Sequence, residues 1–171
     1  MPDPILVTYS TIYGSTQEVA ERVAATLRDG GLAVDLQPVR KVRSLDAYRA
    51  IVLGAPLYMF HWHKDALGFL SRHRKAIAEK PIAIFALGPL NNVEKEFVDA
   101  RAMLDKELAP FPWLSPVVIE IFGGKLEPAK FRFPHNLIPV MRSMPASDIR
   151  HWTKIKDWAS SLVPKLVAPA A

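Results

Sequence analysis

Apolar runs and helical patterns alternate along most of the chain. The run ILVTY at residues 5–9 is followed by Val19, Val23 and Leu27, whose spacing of four marks one face of a helix that ends near Gly30. Further apolar runs lie at residues 33–39, 50–56, 81–87 and 116–122, separated by helical patterns around Leu67, Leu70 and Ile77 and over residues 97–108. Alternating strands and helices form a parallel sheet covered on both faces. The pattern therefore predicts an α/β fold with five strands.

The C-terminal segment predicts one more helix, from about Ser147 to Val163. Its apolar residues share one side of that helix: Ile149, Trp152, Ile155, Trp158 and Leu162. Pro164 is expected to end the helix because proline cannot continue the backbone hydrogen bonds. Residues 166–171 (LVAPAA) then form a predicted disordered tail.

One segment breaks the alternation. Residues 123–147 are too long and too apolar for an ordinary connection, and Pro134 and Pro139 exclude a single long helix. We call this segment the insert. At 171 residues the chain suits one core, so we predict a single domain over residues 1–165 that carries the insert.

The composition of the chain excludes several kinds of site and limits the partners to be expected. The chain has no cysteine, which excludes disulfides, thiolate metal sites, iron–sulfur clusters and cysteine nucleophiles. It has no membrane-spanning apolar stretch and no charged-then-apolar leader, so we expect it in the cytoplasm or on the cytoplasmic face of a membrane. The net charge of +5 resides in residues 125–156, where seven basic residues face two acidic ones. That distribution favours anionic partners.

The first strand-to-helix loop concentrates hydroxyl groups around Gly14. Ser10, Thr11, Tyr13, Ser15 and Thr16 lie there, where a parallel sheet presents backbone amides and a helix N-terminus that attract anions. This favours a phosphate monoester bound by neutral donors. The alternative is a plain helix start, since Ser15 and Glu18 have capping-box spacing.

Two later loops are expected at the same sheet edge. The third strand ends in GAPLYMFHWH (residues 54–63) and the fourth in ALGPLNN (residues 86–92), which are rich in small, aromatic and amide residues. Because parallel strands end at one edge, both loops should lie beside the first one. Together they favour the ligand-binding interpretation of the hydroxyl-rich loop.

These motifs resemble the flavodoxin-like FMN-binding family. Within it, the sequence is most similar to the menaquinone-dependent protoporphyrinogen oxidases, in YSTIYGSTQEVAERVA, LGAPLYMFHWHKDALGFLSRHRKAI, FGGKL and DIRHWTKIKDWA. The resemblance covers nearly the whole chain, although between residues 91 and 116 it is only architectural. It implies a three-layer α/β/α fold whose five-stranded parallel sheet has the order 2-1-3-4-5.

The resemblance also implies an FMN site. The phosphate would lie among Ser10, Thr11, Ile12, Tyr13, Gly14, Ser15 and Thr16. The isoalloxazine ring would lie between Pro56, Leu57, Tyr58 and Met59 on one side and Leu87, Gly88, Pro89, Leu90 and Asn91 on the other. Free backbone amides there would hydrogen-bond the edge of the ring.

The implied activity is an oxidation in haem biosynthesis. Electrons would pass from a reduced organic substrate such as a porphyrinogen, through FMN, to a quinone at the membrane surface. The alternative from another class is a non-enzymatic FMN module that carries electrons or senses redox state. The basic charge fits the carrier role less well, because a carrier is expected to have an acidic docking face. A third interpretation is an interaction domain that has kept the fold and lost the cofactor.

The pair His61 and His63 suggests a metal site, but no further cluster of ligands lies close in sequence, so we predict no metal. We expect these residues to start the following helix and border the flavin pocket. Proton transfer by either one is a weaker hypothesis, based on the usual pKa of histidine.

The insert combines apolar side chains with cations, a composition typical of peripheral membrane contact. Alternatively, the insert is a loop that packs over the sheet edge and whose charged side chains are solvated. Lys125, Lys130 and Arg132 are candidates to pair with the carboxylates of a porphyrinogen. No nucleic-acid motif is present, so we expect no nucleic-acid partner.

Overall fold

A computed structural model describes residues 2–168. Five strands form a parallel sheet: β1 (Ile5–Tyr9), β2 (Val34–Pro38), β3 (Ala50–Tyr58), β5 (Ile82–Leu87) and β6 (Val118–Phe122). Their order is β2-β1-β3-β5-β6, and every neighbouring pair is parallel. Counting the parallel strands alone, this is the predicted order 2-1-3-4-5, which is confirmed.

Helices cover both faces of the sheet. They are α1 (Ser15–Asp29), α2 (Lys64–Arg72), α3 (Arg74–Ala78), α4 (Glu94–Leu108), the short α5 (Pro139–Arg142) and α6 (Trp152–Val167). Helices α1 and α6 pack on one face through a core that includes Val23, Phe85 and Trp158. On the other face, the core that includes Phe69 and Leu104 joins α2 and α4 to the sheet. The three-layer α/β/α prediction is therefore confirmed.

Shorter elements shape the edge where the parallel strands end. The two-residue strand β4 (His61–Trp62) pairs antiparallel with the end of β3, and β7 (Lys125–Leu126) pairs antiparallel with β8 (Ser147–Asp148). The pair β7–β8 closes the base of the insert. Single 3-10 turns lie at Val39–Lys41, Pro128–Lys130 and His135–Leu137. The insert thus contains short turns, the strand β7 and the four-residue helix α5, and it does not form the single long helix that its prolines were predicted to exclude.

Two helical predictions need correction. The helix predicted around Leu67, Leu70 and Ile77 is interrupted at His73, where the backbone leaves helical geometry (φ −107°, ψ 21°), so that α2 and α3 are separate. The last helix begins at Trp152, because residues 147–148 pair with β7 instead.

The last helix also continues past Pro164 to Val167. The predicted end at Pro164 is therefore wrong. Leu166, in the segment predicted to be disordered, is 1% exposed and packs in the core with α1. The burial of Leu166 stabilises the continued helix by more than the loss of the hydrogen bond that Pro164 cannot donate destabilises it. Residues 169–171 of that predicted tail lie outside the described residues.

Candidate functional site

The loops at the carboxyl ends of the parallel strands enclose a cavity of about 640 Å³. The β1–α1 loop, the β3–β4 hairpin, the β5–α4 loop and the insert all contribute walls. Twelve residues predicted to contact the cofactor line it: Ile12, Tyr13, Ser15, Pro56, Leu57, Tyr58, Met59, Leu87, Gly88, Pro89, Leu90 and Asn91. The structure thus brings the three predicted loops together around one space.

The β1–α1 loop turns into the helix at Gly14. This residue is the N-cap of α1 and has φ +94°, a conformation that glycine adopts without strain. Its amide donates to Thr11 Oγ1 at 2.8 Å, and no side chain in the described range caps α1. The capping-box alternative is therefore wrong, since Ser15 is the first helical residue and Glu18 pairs with Arg150 instead.

Two hydroxyl groups of this loop are buried and unused. Ser10 is 5% and Thr16 0% exposed, and neither Oγ of Ser10 nor Oγ1 of Thr16 has a hydrogen-bond partner among residues 2–168. A buried polar group without a partner costs about 1–3 kcal/mol. Thr16 lies in the first turn of the 15-residue helix α1, where the helix dipole attracts negative charge, and Ser10 lies directly after β1. Ser10 and Thr16, together with Thr11 and Gly14, are not among the described residues that line the cavity.

The β3–β4 hairpin forms a second wall. Strand β3 continues to Tyr58 and turns back at Met59 and Phe60, whose φ angles are 50° and 67°. Bulky residues rarely adopt positive φ, so this tip is strained. Trp62, 1% exposed, anchors the hairpin by donating from Nε1 to the Ala55 carbonyl at 3.0 Å. The hairpin therefore holds two exposed apolar side chains over the cavity.

A carboxylate fixes the β5–α4 loop. Glu96 accepts hydrogen bonds from the backbone amides of Leu90 (3.1 Å) and Asn91 (3.0 Å) and from Asn91 Nδ2 (2.7 Å). The side chain of Asn91 contributes most to a Glu96 pKa below its ordinary value. Since these two amides are already bonded, they are not free to bind a ring edge. This corrects the expectation of free amides in this loop.

The insert contacts the β1–α1 loop through an aromatic cluster. Tyr13 Oη and His135 Nδ1 are 2.6 Å apart, and the Tyr13 ring lies 5.5 Å from that of Phe131. The His135 ring also lies 5.1 Å from that of Tyr58. The insert is additionally joined to the β5–α4 loop, because Ser147 Oγ donates to the Leu90 carbonyl at 2.8 Å. These contacts confirm that the insert packs over the sheet edge.

A buried guanidinium fixes the end of the insert. The side chain of Arg150 is 3% exposed and lies 2.9 Å from Glu18 Oε2 and 2.8 Å from Asp148 Oδ2. It also donates to the Ser15 carbonyl at 3.3 Å and lies over the Trp152 ring. Arg150 therefore connects the strand β8, the start of α1 and the start of α6.

The predicted cationic residues occupy different environments. Lys125 and Lys130 line the cavity, and both pair with Glu127. Arg132 is exposed and lies outside the set of described residues that line the cavity. The structure therefore brings two of the three cations to the cavity, and they share a single carboxylate.

The two predicted histidines are not among the described residues that line the cavity, so the expectation that they border it is wrong. His61 has an exposed side chain with Nδ1 3.2 Å from Glu107 Oε1. His63 caps α2, accepting from the Asp65 amide at 3.2 Å, and burial lowers its pKa. It does start the helix, as predicted. Between residues 2 and 168, no three histidine, aspartate or glutamate side chains come together in a way that could hold a metal ion.

Several lining residues were missed from the sequence. Met103 and Asp99 reach the cavity from α4, and Met141 and Met144 reach it from the insert. The α4 residues belong to a helix whose register could be predicted, but its orientation over the loop depends on tertiary packing. No local pattern marks them.

The comparisons identify the family. A model described as a flavodoxin domain matches residues 6–146. The chain is 23% identical over 159 residues to the protoporphyrinogen IX dehydrogenase [quinone] of Escherichia coli strain K12, covering 90% of this chain and 87% of that protein. It is 24% identical over 132 residues to the Leishmania major protein of the same name, covering 75% and 57%. Flavodoxin 1 from Bacillus cereus superposes with a TM-score of 0.60 over 96% of this chain and 99% of that one, at 16% identity.

The sequence resemblance is thereby confirmed at the level of the family. The family match covers most of the chain and includes the hydroxyl-rich loop and both later loops. The sheet has the strand order of the same fold. The chain belongs to the flavodoxin family.

Proposed function

We propose that this protein is an FMN-dependent oxidoreductase that passes electrons from a reduced organic substrate, of the porphyrinogen class, to a quinone. The supporting observation is the extent of the cavity. It runs from Ser15, at the start of α1, to an apolar region walled by the insert. A cavity of about 640 Å³ is within the usual range for sites that enclose small molecules.

The residues at the α1 end fit a flavin phosphate. Ser10 and Thr16 have buried hydroxyls with no partner in the described part of the chain, and the helix dipole favours an anion beside them. The rest of the cavity wall is mainly apolar, with Tyr13 and Tyr58 among its residues, which suits a flat ring. FMN bound there would supply the two-electron chemistry that the amino acids lack.

The protein's own groups would orient the ligands and exclude water. Glu96 fixes the β5–α4 loop on one side of the ring position, and the anchored hairpin around Tyr58 lies on the other. The insert covers the same space through Phe131, which is 7% exposed, and through the contact between Tyr13 and His135.

Lys125 and Lys130 support a substrate with carboxylates. Both line the cavity, where either could form a charge-assisted hydrogen bond. Glu127 holds both in the structure, so a substrate carboxylate would have to share them. Charge reversal of Lys125, Lys130 and Arg132 should raise the KM for a porphyrinogen. An unchanged KM would exclude this role.

Exposed apolar residues near the cavity favour an acceptor in a membrane surface. Phe60, Phe133, Leu137 and Val140 are between 61% and 78% exposed, and Phe60 and Val140 also line the cavity. Interfacial binding buries such side chains near headgroups while cations such as Arg132 meet anionic lipid. No helix within residues 2–168 is long and apolar enough to cross a membrane.

The test is turnover by the FMN-loaded protein. We expect quinone-dependent oxidation of a porphyrinogen at a rate well above that of the same mixture with free FMN. Absence of that turnover, with reversible electron exchange with a protein partner instead, would favour the non-enzymatic carrier. A protein that binds no FMN would favour the interaction domain.

A further inference from the structure

Every methionine between residues 2 and 168 lines the same cavity. Met59 lies at the hairpin tip, Met103 on α4, Met141 on α5 and Met144 just after it, and all four line the cavity. Methionine is unbranched and polarizable, so it adapts its shape to a ligand and makes favourable contacts with aromatic rings. We call these four side chains the methionine compartment. Their convergence from separate segments indicates a site for a ring.

The charged groups around the compartment are already paired. Four carboxylates line the cavity, and each has partners: Glu18 with Arg150, Glu96 with the amides of Leu90 and Asn91, Asp99 with Lys95, and Glu127 with Lys125 and Lys130. A charged ligand would have to displace one of these partners, whereas a neutral ring would not. A neutral ring can therefore bind beside these walls without breaking any of these pairs.

One polar group of the cavity still lacks a partner. The Tyr58 hydroxyl is buried and has no hydrogen-bond partner in the range the structure describes, while Tyr58 itself lines the cavity. Burial raises the pKa of Tyr58, so the phenol stays protonated and acts as a donor. A carbonyl oxygen is a matching acceptor. The cavity thus offers an adaptable apolar wall and, at Tyr58, a buried donor that is unused within residues 2–168.

We propose that the methionine compartment holds the ring of a neutral quinone and that Tyr58 Oη donates a hydrogen bond to one of its carbonyl oxygens. This inference rests on the proposed function, in which a quinone is the electron acceptor. It places that acceptor in the same cavity as the flavin ring, which the Tyr58 hairpin also borders, and apart from the hydroxyl-rich loop at Ser10 and Thr16.

Methionine methyl signals report binding directly. The protein is labelled with [methyl-¹³C]methionine, saturated with FMN and titrated with 2-methyl-1,4-naphthoquinone while its NMR spectrum is recorded. We expect the signals of Met103, Met141 and Met144 to shift and saturate together. Because no reductant is present, the readout is binding and not turnover.

Removal of one hydroxyl tests the donor. Tyr58→Phe should weaken quinone binding about five- to tenfold, the usual effect of one neutral hydrogen bond. It should leave the FMN dissociation constant within about twofold, because the variant keeps the aromatic ring that borders the flavin and removes only the hydroxyl. Tyr48→Phe is the matched control, since Tyr48 Oη is bonded to Asp35 and Gln37 away from the cavity. The control should leave the affinity for both ligands unchanged.

A charge placed in the compartment tests the apolar wall. Met103→Glu should weaken quinone binding at least about tenfold, because the new carboxylate must be desolvated. Ala102→Glu adds the same charge to an exposed neighbouring position of α4 and should have little effect. Met103→Leu keeps the wall apolar and should stay within about threefold of the parent protein.

Three results would overturn the proposal. The first is an FMN-loaded protein in which the methionine signals do not respond to the quinone. The second is a Tyr58→Phe variant that loses affinity for FMN and keeps it for the quinone, which would assign the phenol to the flavin. The third is equal weakening by Met103→Glu and Ala102→Glu. If FMN itself does not bind, the proposed function fails, yet saturable shifts in the FMN-free protein would still support the compartment.

Discussion

The β1–α1 loop and the insert meet at Tyr13 and His135 but are built in opposite ways. The loop is short, lies between a buried strand and α1, and keeps two buried hydroxyls, those of Ser10 and Thr16, without partners in the described residues. The insert is mostly exposed, its Glu127 is paired with Lys125 and Lys130, and Arg150, which follows the insert, is paired with Glu18 and Asp148. The loop thus keeps polar groups that lack partners within residues 2–168, whereas polar side chains in and beside the insert are already paired.

The clearest way to test the loop is to remove its unpartnered hydroxyls. Ser10→Ala with Thr16→Val should weaken FMN binding by at least about a hundredfold, since each of the two hydrogen bonds to a charged group contributes about 1.5–3 kcal/mol. The same variant without FMN should be as stable as the parent or up to about 1 kcal/mol more stable, because no bond is lost. Calorimetric titration and urea unfolding measure the two effects.

Thr26→Val is the matched control for that pair. Thr26 is buried in the same helix, but its hydroxyl donates to the Arg22 carbonyl at 2.9 Å. We expect it to lower stability slightly and to leave FMN binding unchanged. Loss of stability in the Ser10 and Thr16 variant, with unchanged FMN affinity, would show that the hydroxyls only support the fold.

The attachment of the insert should depend most on Arg150, the buried cation that follows it. Arg150→Met removes the partner of Glu18 and Asp148 and should lower the free energy of unfolding by about 2 kcal/mol. This loss is smaller than that for a fully buried ion pair, because both carboxylates are partly exposed to water. Arg101→Met is the control, since Arg101 forms an exposed pair with Asp105, and it should cost less than about 0.5 kcal/mol. Equal losses in both variants would contradict the role of Arg150.

The pairing of Arg150 with Asp148 also makes the stability of the fold depend on pH. The Asp148 pKa lies below its ordinary value of 3.8, chiefly because Arg150 donates to its side chain. Because the pKa of Asp148 is lower in the folded state than in the unfolded state, its carboxylate stabilises the fold at pH values above the unfolded-state pKa. That stabilisation is lost as the pH falls through the folded-state pKa. Below about pH 4, the parent protein should therefore lose stability more steeply than Arg150→Met. Urea unfolding between pH 6 and pH 3 measures the difference.

Exposed apolar residues of the insert should control membrane binding. Phe133→Ser with Val140→Ser should weaken binding to vesicles that contain anionic lipid about tenfold, because two apolar side chains no longer enter the interface. Val98→Ser is the control, since Val98 is 61% exposed on α4. Co-sedimentation measures binding. Equal affinity of the parent protein and the double variant would exclude the insert as a membrane contact.

The smallest expected effect concerns the contact between the two regions. Tyr13→Phe removes the bond to His135 and should ease local opening of the insert by about 1 kcal/mol, with little change in global stability. Tryptic cleavage after Arg132 and Arg142 should then accelerate about fivefold. Tyr48→Phe controls for loss of a phenol elsewhere. Unchanged cleavage would show that the aromatic packing of Tyr13 is sufficient.

Most of the architecture follows from local sequence. Apolar runs identify the five parallel strands, and parallel strands end at one edge, so the residues around Gly14, Tyr58 and Pro89 could be expected to meet. The strands can be identified from the local sequence because a strand that is buried on both faces of the sheet is a continuous run of apolar residues.

Long-range contacts could not be predicted in the same way. Tyr13 and His135 are 122 residues apart, and nothing local marks them as partners. The continuation of α6 past Pro164 depends on the burial of Leu166 beside α1, and the bonding of the Leu90 amide depends on where α4 places Glu96. Each of these outcomes is decided by packing between separate segments, which overrides local preference.

Titration of the FMN-free protein with FMN, followed by flavin fluorescence and calorimetry, addresses the ligand of the hydroxyl-rich loop. We expect saturable binding near one FMN per chain, with strong quenching as the ring enters the cavity. Riboflavin, which lacks the phosphate, should bind much more weakly because Ser10 and Thr16 gain no acceptor. No binding up to a concentration on the order of 1 mM, or equal affinity for FMN and riboflavin, would contradict a phosphate site in this loop.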